Sequence, residues 1–247
     1  MQWIKKISLA DLATLGNGMC GFFAIVYAHD RNFLASCLFI LLGAMLDGLD
    51  GYLARKFPSK HNSGHILDSI SDTISFCIAP AMLIYAQFYS LRLGSAFTNM
   101  RNFLTILALS LVALLGLIRL IKYSIQGYKY PVFRGLPTPA AAMNVVALSL
   151  MYGPKGVFGE HFAFVLLPVC VIAPLMITDI KYPKAREGIY RKLSIFSGVF
   201  LFFTLVGVKF NMVQLARVCA PIAFITLAIY IFISPLIYHY QQSREER

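Results

Sequence analysis

Residues 47–72 read DGLDGYLARKFPSKHNSGHILDSISD, and the four aspartates of this stretch lie inside or at the edges of strongly apolar segments: Asp47, Asp50, Asp68 and Asp72. The whole chain has only 11 Asp and Glu residues, so about a third of its acids fall within this one stretch. Because a carboxylate in hydrocarbon costs about 3 kcal/mol or more, something must compensate for its charge. The sequence therefore predicts a bound cation and a function for these acids.

The composition around this stretch is that of an integral membrane protein and excludes a water-soluble globule. The chain is 58% hydrophobic and 13% charged, and its mean hydropathy is +0.70. Apolar runs long enough to cross the bilayer predict an all-α, polytopic helical bundle of about eight transmembrane helices. The predicted spans are 11–29, 33–54, 65–89, 102–121, 137–152, 161–178, 193–210 and 217–238. No repeat or long linker divides the chain, so we expect a single membrane domain over residues 1–247.

The positions of Lys and Arg predict the orientation of the bundle, because basic loops stay in the cytoplasm. With a cytoplasmic N-terminus, sixteen basic residues lie on the cytoplasmic side and six on the other. The sixteen are Lys5, Lys6, Arg55, Lys56, Lys60, Arg119, Lys122, Lys129, Arg134, Lys181, Lys184, Arg186, Arg191, Lys192, Arg244 and Arg247. We therefore expect a cell membrane protein with both termini in the cytoplasm and an aspartate cluster that opens to the cytoplasm.

The net charge of +11 has a membrane explanation, since basic residues at the cytoplasmic face meet anionic headgroups and phosphate-bearing substrates. The basic loops contain no aromatic-interleaved stripe, so we expect no nucleic-acid partner. The five cysteines stand singly in apolar stretches and lack the close pairs of zinc or redox motifs.

The aspartates have the spacing of a shared metal site. Asp47 and Asp50 are three residues apart and Asp68 and Asp72 four apart, so each pair projects from one face of a helix. Hard divalent ions such as Mg²⁺ or Mn²⁺ prefer oxygen ligands, and two such ions can clamp a diphosphate. Arg55 adds a bidentate donor for phosphate at the water boundary. The pattern thus predicts a site with two divalent ions and a phosphate-bearing substrate.

The same stretch resembles the signature of the CDP-alcohol phosphatidyltransferase family. That signature is Asp, two residues, Asp-Gly, two residues, Ala-Arg, eight residues, Gly, three residues, Asp, three residues, Asp, and every fixed position matches between residues 47 and 72. The signature is expected to lie across the cytoplasmic ends of helices 2 and 3. The family's core is usually six helices, so the resemblance implies that the last two are an addition.

The resemblance implies a reaction in which an alcohol attacks a CDP-activated lipid and expels CMP. It implies that Asp47, Asp50 and Asp68 ligate metal, and that Asp72 lies at the metals and is the general base for the alcohol. It also implies that the CDP-lipid site includes four residues: Gly51, Ala54, Arg55 and Gly64. Close helix packing is the alternative interpretation of the small residues. The resemblance further suggests a homodimer.

A narrower resemblance concerns the acceptor alcohol. Residues 135–142, GLPTPAAA, and the first-helix segments 14–17, TLGN, and 20–22, CGF, resemble the phosphatidylserine synthase branch of the family. L-serine needs a cation for its carboxylate, and the candidates for acceptor binding are Arg119, Lys122, Arg134 and Asn17. Lys122 departs from the branch pattern, which has Arg at that position. A diacylglycerol lipid and an archaeal ether lipid fit the sequence equally, so an archaetidylserine synthase stays open.

Other functions remain as alternatives. Glycerol 3-phosphate or an inositol phosphate would replace serine in other members of the family. These acceptors need extra phosphate-binding cations, and the basic segment 181–192 keeps this alternative open. A membrane prenyltransferase would need two distant Asp-rich motifs. An ion-coupled transporter would also explain intramembrane acids, but it predicts related halves and broken helices near the midplane.

Overall fold

The computed structural model describes residues 8–56, 64–90, 92, 99–126, 133–183 and 188–245. Two π-helical turns, Thr73–Ile78 and Ile229–Ile233, continue the helices before them, and one short strand pair joins β1 (Phe133–Arg134) to β2 (Lys181–Tyr182). The α-helices are α1 (Leu9–His29), α2 (Phe33–Lys56), α3 (Gly64–Asp72), α4 (Ala79–Phe88), α5 (Met100–Gln126), α6 (Thr138–Tyr152), α7 (Phe162–Leu175), α8 (Gly188–Lys209), α9 (Val213–Ala228) and α10 (Ser234–Glu245). The predicted all-α membrane bundle is confirmed.

Among the described residues, six helical segments are long and apolar enough to cross a membrane. They are Leu9–His29, Phe33–Lys56, Ile66–Phe88, Met100–Ile125, Tyr190–Lys209 and Val213–Tyr240. The fifth and sixth predicted spans correspond to α6 and α7, which have 15 and 14 residues. At a rise of about 1.5 Å per residue each is only about 22 Å long, short of a hydrocarbon core of about 30 Å. The count of eight full spans is therefore not confirmed.

Many large apolar side chains are exposed on the outside of the bundle, as expected for an integral membrane protein. The two ends of the chain and the middle of the aspartate signature, at residues 57–63, lie outside the described residues. So do seven of the basic residues on which the predicted orientation depends: Lys5, Lys6, Lys60, Lys129, Lys184, Arg186 and Arg247. Neither the orientation nor the position of the termini is fixed by the described structure.

Helix α6 forms the centre of the bundle. Twelve of its fifteen residues are buried, and it packs against α2, α7, α9 and the first π turn. Pro137 stands at its N-cap position and Pro139 in its first turn, where the missing N–H groups cost the helix nothing. Through its contacts with α2 and with the π turn that follows α3, this central helix supports the two elements that carry the acids.

The segment before α6 is held by a tight turn at Gly135. The backbone N–H of Gly135 donates to the Ile180 carbonyl at 2.9 Å, and that of Leu136 donates to the Leu175 carbonyl at 2.9 Å. Gly135 has φ +79°, and a Cβ there would collide with the Met176 carbonyl. The position therefore requires glycine for two separate reasons, its left-handed backbone and the close approach of Met176.

Replacing Gly135 by Ala is expected to lower the melting temperature of the detergent-solubilised protein more than the same change at Gly159. Gly159 also has a left-handed backbone, with φ +87°, but a Cβ there would have its nearest contact at 3.9 Å. Gly159→Ala should cost about 1 kcal/mol from the backbone alone, and Gly135→Ala a further 1–3 kcal/mol or so from overpacking. Equal shifts for the two variants would contradict the collision with Met176.

A pair of tyrosines attaches the C-terminal helices to the rest of the bundle. The Tyr182 hydroxyl donates to the Ile231 carbonyl at 3.2 Å, and the Tyr230 hydroxyl donates to the Pro183 carbonyl at 3.2 Å. Their ring centroids are 6.1 Å apart. Burial raises the pKa of Tyr182 to about 12, so its hydroxyl remains a donor at neutral pH. The second π turn is thereby fixed to the strand that pairs with β1.

Candidate functional site

Three of the four aspartates come together where the end of α2 meets α3. Carboxylate oxygens of Asp47, Asp50 and Asp68 all lie within 4.8 Å of one another. At this separation two carboxylates repel by about 3 kcal/mol even at an effective dielectric constant of about 20. A hard divalent cation relieves this repulsion and takes oxygen ligands, so the donor set fits such an ion.

Helix α1 supports this cluster through Thr14. The Thr14 hydroxyl donates to Asp50 Oδ2 at 2.8 Å and also lies 3.0 Å from the Ala10 carbonyl oxygen. Both Thr14 and Asp50 are buried. A hydroxyl bonded to a carboxylate makes a charge-assisted hydrogen bond, so Thr14 fixes the rotamer of Asp50. Sequence reasoning did not select Thr14, although it lies in one of the segments that resemble the serine branch.

Asp72 lies beside the three-carboxylate cluster, one helical turn after Asp68. It is buried, and the Asn17 side-chain amide donates to Asp72 Oδ1 at 3.0 Å. Asp72 lines the same cavity as Asp47 and Asp68. The structure thus brings all four predicted acids to one place, with the Asp72 carboxylate oriented by an amide from α1.

A close approach of two backbones puts Asn17 within reach of Asp72. A Cβ on Gly21 would stand 2.7 Å from Ser75 Cα, so α1 touches the π turn at glycine. The Ser75 hydroxyl donates to the Asn17 backbone carbonyl at 2.7 Å. A π turn directly after Asp72 is a geometry often found at functional sites, since it changes the direction of the side chains beyond it.

A cavity of about 1000 Å³ opens from the acids into the bundle. Its polar lining includes Arg55, Ser69 and Arg119 together with three of the acids, Asp47, Asp68 and Asp72. Its remaining walls are mainly apolar side chains from α2 and α8. This volume suits a large ligand with a charged head and an apolar body.

The predicted CDP-lipid residues have different positions relative to the cavity. Arg55 lines it, whereas Gly51 and Ala54 stand on α2 outside its lining. Gly64 packs against α1, where an added Cβ would stand 3.3 Å from Asp11 Oδ1. Gly48, which the signature does not fix, lines the cavity and borders open space.

Of the predicted acceptor-binding cations, the structure brings Arg119 to the site. Arg119 is buried and lines the cavity, and its Nη1 donates to the Thr138 hydroxyl at 3.3 Å. Its guanidinium also lies over the Tyr123 ring, 5.2 Å from the centroid. Arg119 and Asp72 are close enough to interact electrostatically. The positively charged Arg119 therefore lies near Asp72, the acid that Asn17 orients.

The other two predicted cations lie outside the cavity lining. Lys122 Nζ forms a salt bridge of 2.8 Å with Asp179 Oδ1, and this hydrogen bond, followed by the charge of Lys122, lowers the pKa of Asp179. Arg134 is exposed on β1. Asn17, the fourth candidate, is fully buried and contacts Asp72 rather than the open cavity.

Sequence reasoning missed several residues that line the cavity. Tyr123, Arg191 and Tyr230 come from α5, α8 and the second π turn. Arg191 was counted only among the basic residues of the cytoplasmic side, and nothing in its local pattern indicates a cavity. Their contribution depends on how the C-terminal helices pack, which the spacing of a single segment does not reveal.

Comparison with known proteins gives one family match and several relatives. The CDP-alcohol phosphatidyltransferase family model matches residues 7–176. A CDP-diacylglycerol–serine O-phosphatidyltransferase of Bacillus subtilis is 34% identical over 71% of this chain and 90% of its own. An archaetidylserine synthase of Methanothermobacter thermautotrophicus is 34% identical over 72% of this chain and 70% of its own. A CDP-diacylglycerol–serine O-phosphatidyltransferase of Methanocaldococcus jannaschii is 34% identical over 75% of this chain and 79% of its own length.

Proposed function

Because the chain belongs to the CDP-alcohol phosphatidyltransferase family, we propose that it transfers a phosphatidyl or archaetidyl group from a CDP-activated lipid to the hydroxyl of L-serine and releases CMP. The observation that carries the proposal is the cluster of Asp47, Asp50 and Asp68, two of which line one large cavity together with Asp72. The names of the relatives supply serine as the acceptor. This function makes the chain a membrane-embedded transferase of phospholipid synthesis.

Members of this family generally use divalent metals, and the three clustered carboxylates fit that requirement. Asp47, Asp50 and Asp68, with Asp72 beside them, would hold two ions, Mg²⁺ or Mn²⁺, which when bound supply positive charge at the diphosphate of the CDP-lipid. Arg55 is our proposed second contact to that diphosphate, since it lines the cavity at the end of α2. Gly51, Ala54 and Gly64 lie outside the cavity lining, and we propose that cytidine approaches these small residues beyond the cavity.

Asp72 is our proposed general base. Its carboxylate accepts the proton of the serine hydroxyl, whose oxygen forms a bond to the lipid-linked phosphorus. The bond from that phosphorus to the bridging oxygen breaks, and CMP leaves with the electron pair. Asn17 acts through Asp72 as a positioning residue, because its amide holds Asp72 Oδ1 at 3.0 Å.

Arg119 is our proposed ligand for the carboxylate of serine. Among the three predicted acceptor-binding cations it is the one that lines the cavity together with Asp72, and Thr138 and Tyr123 hold its guanidinium. A guanidinium binds a carboxylate through two parallel hydrogen bonds, which would orient the serine hydroxyl towards Asp72. Lys122 and Arg134 lie outside the cavity lining, and we propose no direct serine contact for them.

We also propose that the acids open to the cytoplasm and that both termini lie there, on the basis of the distribution of Lys and Arg. Family resemblance supports a homodimer. Labelling of single introduced cysteines in spheroplasts with an impermeant reagent would test the orientation, and the mass of the protein in detergent would test the dimer.

The purified protein is expected to release CMP from CDP-diacylglycerol or its archaeal counterpart when L-serine and Mg²⁺ or Mn²⁺ are present. Parallel reactions with glycerol 3-phosphate and inositol phosphate should give no release above the level without an acceptor. Release with a phosphorylated alcohol and not with serine would agree with the family but refute serine as the acceptor. No release with any acceptor on either lipid would refute the transferase function and favour transport.

A further inference from the structure

The family match ends at residue 176, but the cavity does not end with it. Helix α8, the end of α9 and the second π turn contribute to its lining, which includes Arg191, Ile195, Gly198, Phe202 and Tyr230. The active-site cavity of this chain is therefore completed by helices outside the part that matches the family.

Four of the nine residues of α8 that line the cavity share one face of the helix. Arg191, Ile195, Gly198 and Phe202 are separated by four, three and four residues, the spacing of a single helical stripe. From Arg191 to Phe202 the stripe is about 16 Å long at 1.5 Å per residue. The stripe begins with the charged side chain of Arg191, and its other members are apolar.

Helix α2 presents a matching apolar face. Leu38, Leu41 and Met45 line the cavity on the side of Asp47 that leads away from the end of α2 and into the bundle. A hydrocarbon chain whose headgroup binds at the acids would run along this face. Met45 is 64% exposed and Phe202 is 48% exposed, so both of these lining side chains are open to a ligand.

Gly198 lies in the middle of the α8 stripe and borders empty space. A Cβ built there would meet nothing within 4 Å, in contrast to Gly207 on the same helix, where it would stand 3.0 Å from the Ala216 backbone nitrogen. A methyl group at residue 198 would therefore lie at the cavity lining without touching protein atoms, and a longer side chain would take up cavity volume. The helix itself would gain stability from the change, because glycine is a weaker helix former than alanine or leucine.

We propose that α8 is the wall against which a hydrocarbon chain of the CDP-lipid lies, and that Gly198 determines whether a long chain fits. The inference rests on the proposed function for the identity of the lipid headgroup. It assigns lipid-chain selection to the C-terminal helices, whereas the matched part of the chain holds the reacting groups. Long chains reach the stripe around Gly198, and very short chains end before it.

The test compares the binding of CDP-dioleoylglycerol and CDP-dibutyrylglycerol to the full chain in detergent with Mg²⁺ and without serine. Gly198→Leu should weaken binding of the dioleoyl lipid about tenfold or more, the range expected for steric exclusion from an apolar pocket. The same variant should change binding of the dibutyryl lipid less than twofold or so, and Gly198→Ala should give a smaller effect on the dioleoyl lipid. The mass of the protein in detergent should stay the same in all variants.

Equal weakening for both lipids would overturn the inference, as would no weakening for either. A changed mass in Gly198→Leu with unchanged lipid binding would also overturn it, because the wall would then contact a second copy of the chain. A wild-type protein that binds neither lipid would refute the inference together with the proposed function. If the binding pattern is as expected but serine yields no CMP, the result refutes serine as the acceptor and leaves the proposed role of α8 in lipid binding supported.

Discussion

Asp50→Asn is expected to reduce the rate of serine-dependent CMP release about a thousandfold or more, an effect of the size seen when one preorganised electrostatic contact of an active site is lost. The change removes one of three carboxylates whose oxygens lie within 4.8 Å of one another. It also places an amide where the Thr14 hydroxyl now donates to Asp50 Oδ2. The affinity for Mn²⁺, measured by electron paramagnetic resonance, should fall together with the rate.

Asp30→Asn is the matched control for this variant. Asp30 is an exposed aspartate just beyond α1 and does not line the cavity, so its variant should keep both the rate and the Mn²⁺ affinity. Chelation of divalent ions should abolish CMP release by the wild type, and added Mg²⁺ or Mn²⁺ should restore it. An Asp50→Asn protein that binds Mn²⁺ and turns over like the wild type would refute the metal site.

Asp72→Asn should reduce the rate about 10²- to 10⁴-fold, the contribution typical of a positioned general base. Its Mn²⁺ affinity should fall much less than that of Asp50→Asn, because Asp72 lies beside the three-carboxylate cluster. Asn17→Ala should lower kcat by a smaller factor and leave the KM for CDP-lipid unchanged, since Asn17 acts only by orienting Asp72.

The comparison of these variants separates proton transfer from metal ligation. An Asp72→Asn variant that loses Mn²⁺ as completely as Asp50→Asn would make Asp72 a metal ligand first and remove the support for its role as base. A variant that retains most of the wild-type rate would exclude Asp72 from both roles. Normal melting temperatures in all variants are required for either conclusion.

The carboxylates were the most predictable part of the site, because their roles depend on spacing along helices. Three- and four-residue intervals place Asp47 with Asp50 and Asp68 with Asp72 whatever the surrounding fold. The partners that orient them, Thr14 and Asn17, come from a helix more than 30 residues away in sequence. Those contacts depend on the close approach of α1 to the π turn, which no local pattern specifies.

Helix existence was also predictable, whereas helix length was less so. Hydropathy located α6 and α7 correctly but could not tell a lipid-crossing helix from a shorter one covered by protein, since both are apolar. Among the cations, the sequence pattern disfavoured only Lys122, which replaces an arginine of the branch pattern, and did not separate Arg119 from Arg134. Burial and the Lys122–Asp179 salt bridge distinguish them, and both arise from tertiary packing.

The burial of α6 also determines which sequences this helix tolerates. Helix α6 is surrounded by other helices along nearly its whole length, so its side chains contact protein and not lipid. Ala142 and Ala147 are almost completely buried. A leucine at either position would be apolar enough for this environment but too large for the space. For the innermost helix of this membrane protein, side-chain volume and not hydrophobicity is the quantity that selection must conserve.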